Sequence, residues 1–156
     1  MNITAFMQNA WFPEKTHQWI RDKYSQDQKF HQKILCQSAS GRRLLKLMGE
    51  DMFHHIYWDN TTPATGDKSS DRLPPDIPWI HSVIEKTEAD ILLCIGFQAR
   101  DAVPIALPRD WSGKIFFMSH PNRRGVTDEE LLASIQEIKD YVVEEELRSD
   151  SSSRIG

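Results

Sequence analysis

Three short segments hold the residue types that do chemistry. The segment 114–125, K-I-F-F-M-S-H-P-N-R-R-G, sets His120, Asn122, Arg123 and Arg124 in a polar turn directly after a short apolar run. The segment D-N-T-T-P at 59–63 offers a carboxylate, Asp59, beside an amide, Asn60. The segment S-G-R-R-L at 40–44 places Ser40, Arg42 and Arg43 at the start of a helical pattern. A histidine holds or moves a proton near neutral pH. An amide presents a donor and an acceptor to one ligand edge, and arginine grips phosphate. Each residue also has a plain structural reading. His120 before Pro121 closes a turn, and Asn60 caps one, since asparagine suits turns for backbone reasons.

Elements must bring these segments together. Residues 115–118 read as a short strand, and 89–95, A-D-I-L-L-C-I, as a strand buried on both faces. Residues 34–36 read as the first buried strand and 53–58 as the second. The intervening helices are expected at 40–48, 77–88 and 98–106, with Ser40 as an N-cap and Gly49 as a stop. A last helix begins at Thr127, where Thr127 and Glu130 form a capping box, and frays near Glu144, Glu145 and Glu146. The alternation predicts an α/β fold, a three-layer α/β/α sandwich around a four-stranded parallel sheet. Residues 1–33, broken at Pro13, read as a helical N-terminal extension packed on the core, residues 34–147 as the α/β domain, and 148–156 as a disordered tail.

In a parallel sheet the turns after all strands share one edge, where ligands of open α/β sheets bind. Arg42, Arg43, Arg100, Arg123 and Arg124 gather there, although the formal net charge is −4. A local basic rim on an acidic chain fits a polyanion. Solvated helix starts are the alternative, but cations oppose the dipole there. The loop 59–75 is long enough to be functional or disordered.

Other classes are disfavoured. No run of about 18 apolar residues predicts a membrane span, and no basic segment followed by an apolar core predicts secretion. Cys36 and Cys94 each lie in apolar runs and read as free thiols of a reducing compartment, cytoplasmic or nuclear. His54 and His55 are adjacent, so as strand residues they point to opposite faces and cannot grip one ion. No phosphate-loop, dinucleotide, zinc or serine-elbow motif occurs, and neither cofactor nor metal is expected.

The order S-G-R-R-L, D-N-T-T-P, P-P-D-I-P-W, D-I-L-L-C-I-G and H-P-N-R-R-G over residues 34–142 resembles the uracil-DNA glycosylase superfamily. The resemblance implies DNA as partner and a base flipped out of it. Asn60 maps to the asparagine that hydrogen-bonds the flipped base, and His120 to the histidine that steadies the anionic leaving base. Asn122, Arg123 and Arg124 take the place of the residues that press into the duplex. The chain departs from the family after the expected first strand, at residues 37–41, where a glycine-rich loop with a water-placing residue and a stacking aromatic belongs. Gln37 and Asp59 stand as substitutes for the water-placing residue. Phe97 is the substitute for the aromatic, or else a core residue. Two further readings follow: a module of this fold that binds DNA, a nucleotide or a protein partner without turnover, and a doubly wound protein that binds a nucleotide, sugar-phosphate or protein partner and never meets DNA.

Overall fold

The five residues Ile-Thr-Ala-Phe-Met near the N-terminus have no exposed side chain, and this burial makes them a central strand. In the computed structural model, strand β1 (Ile3–Met7) is buried along its whole length. The described residues are 1–7, 15–64 and 73–155, with side chains as far as residue 150. Strand β1 pairs in parallel with β2 (Tyr57–Asn60) on one side and β3 (Ile91–Ile95) on the other. Strand β4 (Lys114–Met118) pairs in parallel with β3, giving the order β2-β1-β3-β4. A strand buried on both faces must be apolar at successive positions, and both β1 and β3 are.

Helices α1 (Gln18–Gln26), α2 (Gln28–Leu35), α3 (Ala39–Met48) and α4 (Glu50–His55) fill the connection from β1 to β2. Helix α5 (Ile77–Thr87) leads from β2 to β3. Helix α6 (Phe97–Ala102) and a 3-10 turn (Val103–Ala106) lead from β3 to β4, and α7 (Asp128–Ile155) closes the chain. Strand parity splits the core. Ile3, Ala5, Met7, Ile91, Leu93 and Ile95 pack with Leu44, Phe53, Leu131 and Ile135 from α3, α4 and α7. Phe6, Leu92 and Cys94 pack with Ile80, Val83, Ile84 and Ala99 from α5 and α6. The fold is thus the expected three-layer α/β/α sandwich around a four-stranded parallel sheet.

Local chemistry sets the helix starts. Asp27 accepts from the Phe30 amide at 3.1 Å and opens α2, Ser38 accepts from Gly41 at 3.0 Å and opens α3, and Asp76 accepts from Trp79 at 3.0 Å and opens α5. The expected Thr127 cap is present, its hydroxyl accepting from the Glu130 amide at 3.2 Å. Each cap satisfies an amide that the first helical turn leaves without a partner.

Four expectations need correction. The first strand is 3–7 and not 34–36: Ile34 and Leu35 end α2, whose buried residues His31 and Leu35 lie four apart on one helical face. Residues 1–33 therefore do not form a helical extension, since they supply a central strand and the helices that follow it. Residues 53–55 belong to α4, and the second strand begins at Tyr57. His54 and His55 contact the Gln32 side chain at 3.3 Å and the Met1 carbonyl at 2.7 Å. The N-cap of α3 is Ser38, and Ser40 lies buried inside the first turn. Finally, α7 runs on through the expected tail to Ile155. The expected break at Pro13, and residues 65–72 of the long loop, lie outside the described residues.

The exposed side of β2 is covered by α2. The Gln28 side chain accepts from the Trp58 amide at 2.6 Å and donates to the Trp58 carbonyl at 2.9 Å, imitating a further strand. Such cover keeps an edge strand from pairing with another chain.

Candidate functional site

All four strands are parallel, so their C-terminal ends share one edge, and Asp59, Asn60, Gly96, Phe97 and His120 lie along it. Strand order changes direction between β1 and β3, and ligands of open α/β sheets bind at that switch point. Asp59 and Asn60 end β2 in register with Phe6 and Met7. Both are buried, as are Thr61 and Thr62 after them. The Thr61 hydroxyl donates to Gln98 Oε1 at 2.9 Å, and Gln98 Nε2 donates to the Leu73 carbonyl at 2.7 Å. These bonds tie the β2 and β3 ends together across the end of β1.

Asn60 Nδ2 donates to the Tyr24 hydroxyl at 3.0 Å. Tyr24 stacks on His31 with ring centroids 4.2 Å apart, and His31 Nδ1 lies 3.3 Å from the Tyr24 carbonyl. The group is buried, and burial dominates its protonation. It raises the Tyr24 hydroxyl well above the usual tyrosine range and lowers His31 to about 4. Asp59 is pushed up to about 7 by burial, against the opposing pull of the Asn60 amide and the Lys86 charge. The Asn60 amide donates to Asp59 Oδ1 at 2.7 Å. A carboxyl in this state divides between acid and carboxylate at neutral pH, the condition for a general base.

His120 follows β4, half-buried, against the backbone of Gly96. A Cβ placed on Gly96 would lie 3.5 Å from His120 Cβ, and Gly96 adopts φ +88°, which a side chain would strain. The Asn122 amide donates to His120 Nδ1 at 3.1 Å. A ring nitrogen that accepts carries no proton, so His120 is neutral with its proton on Nε2. Burial lowers its pKa and favours the same form.

The five arginines divide by their partners. Arg43 donates from Nε to Asp128 Oδ1 at 2.9 Å, and from its terminal nitrogens to the carbonyls of Pro121 at 2.7 Å and Val126 at 2.9 Å. It is a clamp that holds the turn after β4, and its expected role as a phosphate contact does not stand. Arg42 is exposed and bonds the Gln37 carbonyl at 2.5 Å. Arg100 and Arg123 converge on Phe97, their guanidinium carbons lying 4.6 Å and 4.9 Å from its ring centroid. Phe97 is 52% exposed, so it is a surface platform rather than core. Asn122 and Arg124 are exposed in the turn. Gln37 joins α2 to α3 and follows no strand, which removes the reason to read it as the water-placing residue.

The structure therefore sets Asp59 and Asn60 at the β2 end, and Phe97, Arg100, His120 and Arg123 at the β3 and β4 ends, of one sheet edge, with Arg100 and Arg123 in contact with Phe97. It takes Ser40, Arg43 and Gln37 out of the working group. The sequence reading missed Tyr24, which looks like any aromatic of an amphipathic helix. It also placed the first strand at 34–36 and not at Ile3–Met7. The run I-T-A-F-M, ending in the polar pair Gln8-Asn9, was the available signal.

Compared with known proteins, the chain matches no family model, no curated protein and no solved structure.

Proposed function

We propose that this chain is a DNA glycosylase-like protein that takes a uracil-like or modified base out of DNA at the C-terminal sheet edge and cleaves its N-glycosidic bond. The observation that carries the reading is the hydrogen bond that His120 Nδ1 accepts from the Asn122 amide at 3.1 Å, at the end of β4 beside Gly96. With Nδ1 accepting, the ring proton sits on Nε2, from which a neutral imidazole donates a hydrogen bond to negative charge developing on a leaving base. The support from the resemblance is the order of the Asn60 and His120 segments and the parallel sheet it implies.

The roles follow from chemistry. Strands β2 and β4 are three interstrand steps apart, which sets Asn60 and His120 about 14 Å apart at the backbone. Asn60 faces Tyr24 of α1, so a base held by both Asn60 and His120 would have to bridge that gap along the sheet edge. Asn60 spends one N–H on Tyr24, and its other N–H and its carbonyl oxygen match a pyrimidine edge. On cleavage the bond between sugar and base breaks and its electron pair leaves with the base, whose charge His120 Nε2–H holds. Water bonds to the sugar carbon, and its proton passes to the Asp59 carboxylate. Arg100, Arg123 and Arg124 meet phosphates.

A second reading has its own support. Asn60 and Asp59 are buried and bonded within the protein, which suits a fold that binds DNA without turnover. The test is base release from oligonucleotides carrying uracil, 5-hydroxymethyluracil or hypoxanthine, by native protein and by His120→Ala and Asn60→Ala variants. The enzyme reading expects release that falls by at least about 100-fold in His120→Ala. DNA binding with no release from any substrate would favour the binding module. Neither binding nor release would remove DNA from the account.

A further inference from the structure

We infer that the platform formed by Phe97, Arg100 and Arg123 takes an unstacked base of a single strand, so that the preferred ligand of this edge is single-stranded DNA rather than duplex. This rests on the nucleic-acid reading of the edge and narrows its substrate class.

Phe97 opens α6 at the end of β3, beside the strand-order switch, and half of it is exposed. Other large apolar side chains are exposed on this chain, and what sets Phe97 apart is the pair of guanidinium groups over its ring, a charge that an apolar partner would not want. Aromatic rings flanked by cations are how proteins hold single strands, because every base offers a face and every nucleotide a phosphate. Such stacking requires a base already out of its helix, which a single strand provides and a duplex must pay to expose.

Charge on the same edge points the same way. Arg43 is committed to Asp128, Pro121 and Val126, which leaves Arg42, Arg100, Arg123 and Arg124 as the exposed arginines of this edge. Arg100 lies 3.6 Å from Asp101, a loose contact, and Arg123 sits on the ring. Directly after the turn, Asp128, Glu129 and Glu130 fill the first turn of α7. Duplex DNA carries one charge per 1.7 Å of axis, about twice the density of one strand. A chain of net charge −4 with an acidic triplet beside its cationic turn repels the duplex more strongly.

The test is binding of the native protein to a fluorescent 15-nucleotide strand, to the same strand in duplex, and to an RNA of equal sequence, over a salt series. Phe97→Ala, Phe97→Trp and Arg123→Gln variants are measured alongside, with thermal melts to show that these exposed changes leave the fold intact. The expected result is at least about tenfold tighter binding of the single strand than of the duplex. Phe97→Ala should lose about fivefold or more on the single strand, Phe97→Trp should retain it, and the duplex should be little affected. Equal or tighter duplex binding, or an unchanged Phe97→Ala, would overturn the inference. Base release from both strand forms alike would leave the enzyme reading standing and remove only the single-strand preference. A single-strand preference without release would do the reverse. Tighter RNA binding would keep the stacking platform and overturn DNA as its ligand, and no binding to any of the three would overturn both.

Discussion

The Asn60 amide hangs from the Tyr24 hydroxyl by a bond of 3.0 Å, and both residues are buried. The bond joins β2 to α1 and fixes which way the amide faces. Tyr24→Phe removes the acceptor and leaves a buried N–H to find another. We expect a loss of about 1–3 kcal/mol in urea unfolding. In a double-mutant cycle with Asn60→Ala the coupling should be about 1 kcal/mol, and a coupling near zero would show that the bond does not hold the amide.

Asp59 and His31 should give opposite pH dependences. Asp59 has a folded pKa of about 7 against an ordinary 3.8, so its protonated form is favoured by folding, and stability falls as pH rises from about 4 to 7. His31 has a folded pKa of about 4 against 6.5, so folding favours its neutral form, and stability rises with pH over 4 to 6.5. Each slope is at most about 1.4 kcal/mol per pH unit. They oppose each other below pH 6.5, which flattens the native profile. Asp59→Asn should unmask a stability that climbs from pH 4 to 6.5, and His31→Phe one that falls from pH 4 to 7. Denaturation across this range checks it, and parallel profiles in the two variants would refute it.

Arg43 should matter more to stability than Arg42. Its three bonds hold the turn that carries His120, and lysine cannot reach three acceptors in a fork. Arg43→Lys and Arg43→Ala should each cost about 2 kcal/mol, while exposed Arg42→Ala costs under about 0.5 kcal/mol. Hydrogen exchange should show loss of protection at Arg123 and Val126 in the Arg43 variants only. Equal effects at the two arginines would dismiss the clamp.

His120 should be seen neutral at pH 7, protonated on Nε2, in nitrogen-detected NMR of the ring. Its titration should fall below the ordinary histidine range. Asn122→Pro removes the amide that Nδ1 accepts from, so the ring should then exchange between tautomers. A ring protonated on Nδ1 in the native protein would remove the argument for its role with a leaving base.

Much of this architecture was legible in local signals. The uninterrupted apolar run ending at Ile95, the Thr127 cap and the glycine stop at Gly49 depend on residues within four positions of one another. So does the alternation of elements that predicts a parallel sheet. The edge position of His120 and Asn60 follows from that alternation, and so does the gathering of Phe97, Arg100 and Arg123. What local signals did not carry was the place of the first strand. Ile3–Met7 and residues 34–36 are both short apolar runs, and periodicity cannot separate a buried strand from the end of an amphipathic helix at that length. Pairing decides it, because β1 earns its backbone bonds from β2 and β3, more than 50 and 80 positions away.

Composition and short-range spacing were enough for the layered α/β class and for the residue types at the sheet edge. Which of those residues are available depends on the packing of distant segments. That packing closed Arg43 into a clamp, moved Gln37 away from any strand end and hung Asn60 from Tyr24. It also set Phe97 in the open beneath two guanidinium groups. The physical reason is that a side chain's partner is chosen by packing between distant segments, where burial penalises every polar group left without one.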